Sequence, residues 1–147
     1  MTPRIAARAI ILRDNALLMV NAFAGTKSDL WCAPGGGVEP HSSLPDNLIR
    51  EIHEETGLTI SVQDPCLVNE FHDPDSTFHQ IDIYFRCTIV AGDIDPTWRD
   101  PENIVTKRRF FSREELKTIR YKPDSLPDVA FSPEKAVHYD ALEPIVR

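Results

Sequence analysis

Glu51, Glu54 and Glu55 fall within five positions of one another, one short polar linker after the triplet Gly35-Gly36-Gly37. Clustered carboxylate oxygens are what hard divalent cations such as Mg²⁺ or Mn²⁺ prefer, and a bound cation can in turn hold phosphate. A salt-bridged helix face in water accounts for the same charges without any metal. Helical geometry helps to choose between them. Leu44, Leu48 and Ile52 recur at four-residue intervals. With Leu48 set to zero, Glu55 falls at about 340°, on the apolar stripe, Glu51 at about 300°, on its edge, and Glu54 at about 240°, toward solvent. An ionised carboxylate on an apolar face is costly unless it is paired, protonated or bound to metal. Arg50 reaches Glu54 at i,i+4, but one guanidinium cannot neutralise three carboxylates, so a cation is the favoured reading. The glycines are compatible with a plain tight turn. Placed before an acidic helix, they also let the backbone approach a ligand or offer a carbonyl to a metal. No Gly-Lys-Ser/Thr follows, so the stretch is not a P-loop.

The elements that must position these residues are legible in outline. Residues 4–12 and 16–22 read as a hairpin about Arg13-Asp14-Asn15, and LWCAP as a short strand before the glycines. The helix runs from Leu44 to Thr56, with Gly57 as a left-handed cap. LTISVQ and CLVNEFHD read as two strands, FHQIDIYFRCTIV as the strongest strand, and KRRFF as a short one. Ser112 to Glu115 is a capping box opening a helix through about Ile119. YKPDSLPD reads as a Pro-broken loop, and Ser132-Pro133 as the start of a last helix near PEKAVHYDAL. This order of strands, helix, strands and helices is an α+β layout.

At 147 residues, with 41% hydrophobic and 27% charged residues, the chain is expected to form a single domain over 1–147. A net charge of −7 disfavours nucleic acid, which calls for a basic surface. Cys32, Cys66 and Cys87 form neither a CxxC pair nor a zinc pattern, and reduced thiols are expected. The N-terminal apolar runs are broken by Arg8 and by Arg13-Asp14-Asn15, so neither a signal nor a membrane segment is expected, and a cytoplasmic location is.

The segment Pro34 to Leu58 resembles the signature of the Nudix hydrolases, the Nudix box. Gly36 matches its opening glycine, and Arg50-Glu51-Ile52-His53-Glu54-Glu55-Thr56-Gly57-Leu58 matches its whole second half. Trp31, Pro34, Val38 and Glu39 fit the common lead-in. One position departs: Ser42 stands where the box has its first glutamate, an accessory residue that commonly supports the arginine. His41 replaces a frequent glycine. Glu39, three residues earlier, would be a partial substitute for the missing acid.

This resemblance implies an α/β/α sandwich around a mixed central sheet and Mg²⁺-dependent hydrolysis of a pyrophosphate bond, with Mn²⁺ as the other metal. The substrate classes implied are nucleoside diphosphate sugars such as ADP-ribose and nucleoside triphosphates. Glu51 and Glu55 would be metal ligands, Glu54 a ligand or its support, and the Gly36 carbonyl a further oxygen, with Arg50 orienting the acids. The general base would be Glu51, or Glu102 in the RDPEN loop. Phe71, His79 and Tyr84 are the substrate-binding candidates, beside Phe78, His72, Arg4, Arg8 and Lys27. Pro74 lies near a proline of ADP-ribose-cleaving members. Relatives are commonly homodimers. A silent Nudix-fold module that binds nucleotide and a metal-free structural domain are the competing readings.

Overall fold

The computed structural model describes residues 2–147. Strand β1 (Arg4–Arg13) turns at Asp14-Asn15 into β2 (Ala16–Asn21). Both turn residues have positive φ, 51° and 63°, the geometry whose twist matches a tight hairpin and which Asp and Asn tolerate. Then follow β3 (Trp31–Cys32), β4 (Gly35–Gly37), α1 (Leu44–Thr56), β5 (Thr59–His72), β6 (His79–Ala91) and β7 (Arg108–Ser112). The chain finishes with α2 (Arg113–Leu116), α3 (Leu126–Ala130), β8 (His138–Tyr139) and β9 (Glu143–Pro144).

The sheet is mixed. Its strand order is β3-β2-β1-β6-β5-β8, with β1 and β6 parallel and β5 and β6 antiparallel. Each face carries its own core. On one, Leu48 and Ile52 of α1 pack on Ala7, Ala9, Ile11, Leu18, Ile60 and Phe85. On the other, Leu116 of α2 and Leu126, Val129 and Ala130 of α3 cover Ile10, Met19, Leu67, Tyr84 and Phe111. This is the sandwich that the resemblance implied.

Helix α1 has the bounds its periodicity predicts, with the Ser43 hydroxyl capping Asp46 N at 3.1 Å and Gly57 at φ 78° closing its end. Three expectations are corrected. LTISVQ and CLVNEFHD form one strand, β5, whose register shifts around Pro65; a bulge absorbs the missing N–H, so the proline bends the strand without ending it. The capping box at Ser112 is present, but α2 ends at Leu116 and continues only as i→i+3 turns to Ile119. The helix expected after Ser132 is absent. Instead α3 forms in the stretch read as a loop, with Pro127 in its first turn. Residues 138–144 pair in parallel with the outer edge of β5, whose unpaired backbone groups a helix there would leave uncovered.

Candidate active site

The glycine triplet is a strand and not a flexible loop: β4 pairs antiparallel with β1, Ala6 with Gly37 and Arg8 with Gly35. This pairing lays the triplet beside the flank of α1. Gly35 N donates to Glu55 Oε2 at 3.0 Å. At Gly36, an added Cβ would lie 2.9 Å from the Glu51 carboxyl carbon, so only glycine lets that carboxylate approach the strand. Asn47 joins helix and strand further: its Nδ2 donates to Gly37 O at 3.1 Å, and its Oδ1 accepts from Glu39 N at 3.2 Å.

The order of burial along α1 follows the helical wheel. Glu55 is buried, at 9% exposure, the Glu51 side chain is 12% exposed and that of Glu54 28%. Burial pushes the Glu55 carboxyl up to about 8, against the pull of Arg8 and the Gly35 N–H, with Glu51 and Asp100 pushing in the same direction. Glu51 is raised by burial too; Arg50 opposes the shift, while the Glu102 and Glu54 carboxylates add to it. The Glu102 charge is thus felt at the acidic helix, although 51 residues separate it from Glu51.

Arg50 gathers the more exposed acids. Its Nη1 lies 3.2 Å from both Glu54 oxygens, and its Nη2 3.3 Å from Glu51 Oε1 and 3.6 Å from Glu39 Oε1. Among the described residues, the Ser42 hydroxyl, by contrast, donates only to Ser43 O, at 3.4 Å. Glu39 therefore reaches the arginine that the missing box glutamate is expected to support. Ser42→Glu is accordingly expected to keep activity within about threefold of wild type, or raise it, since Glu39 already reaches Arg50 and half-buried Ser42 takes no part in that ion-pair group. Steady-state rates for the two proteins check this, and a large loss would mean a site rebuilt around the serine.

Glu102 sits on a loop that the sequence reading left unsupported. The buried Asp100 carboxylate accepts from the N–H groups of Glu102, Ile104 and Val105 at 3.0, 3.2 and 2.9 Å. From the other side, Asn21 Oδ1 accepts from Thr106 N and Lys107 N, and its Nδ2 donates to Ile104 O at 2.8 Å. Arg108 Nε donates to Glu55 O, and Trp98 Nε1 to Glu54 O at 2.9 Å, tying the same region to the end of α1. Asn21, Trp98 and Asp100 are not singled out from sequence, and Arg108 is read there only as decorating an edge strand. Asp-Pro-Glu-Asn is recognisable turn chemistry for Asp100. Asn21 Nδ2 also donates to Phe23 O at 2.9 Å, but the partners by which it holds this loop, Ile104, Thr106 and Lys107, lie more than eighty residues away and leave no local signal.

Beside this cluster lies a cavity of about 400 Å³, within the range of small-molecule sites. Its floor is the face of β6 presenting Gln80, Asp82 and Tyr84, joined by Phe71 and Asn69 of β5. A polar chain crosses it: Arg4 Nη1 donates to Gln80 Oε1 at 2.8 Å, and Gln80 Nε2 to Asp82 Oδ1 at 2.7 Å. Arg8 Nε lies 3.4 Å from Asp82 Oδ2, without the alignment of a hydrogen bond. Burial opposes the charge on Arg8, but Asp82, Cys32, Tyr84 and Glu55 outweigh it, and its pKa is raised. Arg8 and Arg4 are also where cavity and glycine strand meet: Arg8 Nη1 is 3.5 Å from Gly35 O, and the Arg4 guanidinium occupies the space beside Gly37.

The substrate-binding candidates separate by strand parity. Phe71 and Phe78 line the cavity, with ring centroids 5.8 Å apart. Tyr84 reaches it, but its ring is embedded in the core at 2% exposure. His79 does not line it: one residue from Gln80, it points to the opposite face of the sheet and packs against His72. Lys27 is also outside the cavity lining.

Among the described residues, no three His, Cys, Asp or Glu side chains already converge as a cation cage. Arg50 draws Glu51 and Glu54 to itself, and Glu55 turns to Gly35 N. The donor set still fits a hard divalent cation. It is all oxygen, it includes a buried carboxylate whose single side-chain partner is a backbone N–H, and the Gly36 approach keeps the space beside Glu51 free of a side chain.

The chain belongs to the NUDIX domain family, whose model matches residues 2–131. It is similar to an ADP-ribose pyrophosphatase of Methanocaldococcus jannaschii, 32% identical over 92 residues covering 63% of this chain and 54% of that protein. It is likewise similar to diphosphoinositol polyphosphate phosphohydrolase 2 of Mus musculus, 31% identical over 97 residues covering 65% of this chain and 51% of that one. The matched segments thus span about half the length of these relatives. The crystal structure of an ADP-ribose pyrophosphatase from Streptococcus suis has the same fold, with TM-score 0.70, 20% identity, and coverage of 95% of this chain and 100% of that one. No described helix is long and apolar enough to cross a membrane, and all three cysteines are free.

Proposed function

We propose that this chain, folded as one domain over 1–147, is a Mg²⁺-dependent pyrophosphohydrolase of soluble nucleoside diphosphate-linked compounds, working in the cytoplasm. ADP-ribose-like sugars are its first substrate class and nucleoside triphosphates the second. The observation that carries this is the junction of β4, α1 and the cavity: glycine backbone, buried carboxylate and two arginines meet at one end of a space large enough for a nucleoside.

Glu51 and Glu55, with Glu54 and the Gly36 carbonyl, would hold the cation. When bound, it neutralises the diphosphate and lowers the pKa of a water. Every other task belongs to the chain itself. Arg50 holds Glu51 and Glu54 in place between turnovers, and Arg4 and Arg8 meet diphosphate oxygens on the cavity side. The Asp100 and Asn21 clamps fix the loop that carries Glu102, whose charge is felt at Glu51, and either carboxylate would take the proton that leaves the attacking water. Phe71 and Phe78 offer a face for a base.

Product analysis tests the reading across ADP-ribose, sugar nucleotides, dinucleoside polyphosphates, diphosphoinositol polyphosphates and triphosphates, each with Mg²⁺, Mn²⁺ or chelator. Metal-dependent release of a nucleoside monophosphate is expected for ADP-ribose, with chelator lowering the rate by about 10²-fold or more. Silence across the panel, with nucleotide still raising Tm, would select a binding module instead.

A further inference from the structure

Asn47, Arg50, Glu51 and Glu54 recur at i, i+3, i+4 and i+7 along α1, which puts all four on one flank of the helix. Asn47 is the buried member, at 1% exposure, and a polar group at that depth needs partners. Three hold it. Its Nδ2 donates to Gly37 O at 3.1 Å, while its Oδ1 accepts from Glu39 N at 3.2 Å and from Arg50 Nη2 at 3.1 Å. These partners fix the orientation of the amide, since a flipped group would set its NH₂ against two donors and its oxygen against a carbonyl. Both lone pairs of the oxygen are thereby used. One ties Asn47 to the chain leaving β4, the other to the arginine that gathers the acids.

The acceptors of Arg50 are unequal. The Glu39 side chain is 70% exposed and 3.6 Å away, a pair that solvent weakens. Glu51 and Glu54 carry oxygens proposed for a cation, and so must be able to turn away from the arginine. Asn47 Oδ1 is neutral, buried and pinned by a backbone N–H, so it is the acceptor that stays. It takes one of the two hydrogens of Nη2 and leaves the other for Glu51 Oε1, at 3.3 Å. Without it, the guanidinium is free to follow the Glu51 carboxylate and to contest that oxygen with a cation.

Resting on the metal-site reading above, we propose that Asn47 is a positioning residue: it holds the Arg50 guanidinium at one place on the flank of α1, and through it sets the Glu51 and Glu54 oxygens that a divalent cation would meet. It supplies from within the helix a support for Arg50 that the Ser42 hydroxyl, turned to Ser43 O, does not. Hydrogen bonds that orient the groups around a metal are commonly worth about ten- to a hundredfold in metal affinity.

The test is titration of Mn²⁺ into the substrate-free full chain, followed by electron paramagnetic resonance, with thermal unfolding in chelator beside it. Asn47→Ala is expected to weaken Mn²⁺ binding about tenfold. In an Arg50→Ala background, where there is no guanidinium to hold, the same substitution should change Mn²⁺ affinity by less than about twofold. Its loss of Tm, from the broken bonds to Gly37 and Glu39, should appear in both backgrounds. A merely structural role would carry the affinity loss into both as well. Asn47→Asp keeps an oxygen for Arg50 and gives up the donor to Gly37 O, so it should lower Tm while holding Mn²⁺ affinity within about threefold of wild type. Affinity unmoved by Asn47→Ala, lost equally in both Arg50 backgrounds, or lost as fully in Asn47→Asp as in Asn47→Ala would overturn the proposal, as would a wild type that binds no Mn²⁺. The expected pattern in a chain that hydrolyses no member of the nucleotide panel would instead sink the hydrolase reading and leave this one standing.

Discussion

Glu55→Gln is expected to lower kcat by about 10²- to 10³-fold while leaving the fold intact, the scale seen when one charge-stabilising group is removed from a preorganised site. The amide is isosteric and still accepts from Gly35 N through its oxygen, so the helix–strand contact survives. What is lost is the anionic oxygen offered to a cation. KM for substrate should change far less than kcat, and the dependence of rate on Mg²⁺ should move to higher concentration. A fully active variant would remove Glu55 from the proposed metal set.

The same substitution should raise the stability of the metal-free protein, a sign opposite to that of most core changes. In the folded chain burial holds the Glu55 carboxyl at about 8, above its usual 4.5. A carboxyl raised in this way contributes stability that is fully present below the unfolded pKa and declines as pH rises toward the folded one. Between pH 4.5 and 8 the wild type therefore loses about 1.4 kcal/mol per pH unit at this group, a slope that glutamine lacks. In chelator, Tm of Glu55→Gln should match wild type near pH 4.5 and exceed it near pH 8. Equal Tm at both would mean that Glu55 is better solvated than its burial indicates.

Local periodicity made α1 legible to the residue, because a four-residue apolar repeat, a cap and a terminal glycine all agree there. The burial order of Glu55, Glu51 and Glu54 follows from the same repeat. Glu102 was reached through resemblance alone. What holds it, Asn21 and Asp100, depends on contacts between distant segments that no window of sequence displays. The end of the chain was misread for a related reason. Ser132-Pro133 is a sound helix start in isolation, but the open edge of β5 competes for the segment that follows. His79 lies outside the cavity by parity: it is one residue from Gln80, and Gln80, Asp82 and Tyr84 share the face of β6 that floors the cavity.

The two glycines beside α1 should separate fold from chemistry. At Gly35 φ is 147°, and an added Cβ would lie 2.1 Å from Ala7 O and 2.8 Å from Arg8 Cα. Both obstacles are backbone, so no rotamer change relieves them. Gly35→Ala must part β4 from β1 and, with it, break the Gly35 N bond to Glu55; a loss of about 4 kcal/mol or more is expected, enough to unfold a marginal domain. Gly36 has no such φ, and the three atoms nearest its added Cβ would all belong to the Glu51 carboxylate, the closest at 2.9 Å. A side chain can swing aside. Gly36→Ala should therefore fold with Tm within about 5 °C of wild type, since about 1 kcal/mol shifts a domain of this size by a few degrees. Its activity should nonetheless fall by about tenfold or more, because displacing a catalytic group by as little as 1 Å can cost up to 10²-fold. Denaturant titration and initial rates on both variants check the contrast. A stable Gly35→Ala would mean that β4 tolerates a side chain, and a fully active Gly36→Ala would mean that Glu51 does not need to approach the glycine strand for catalysis.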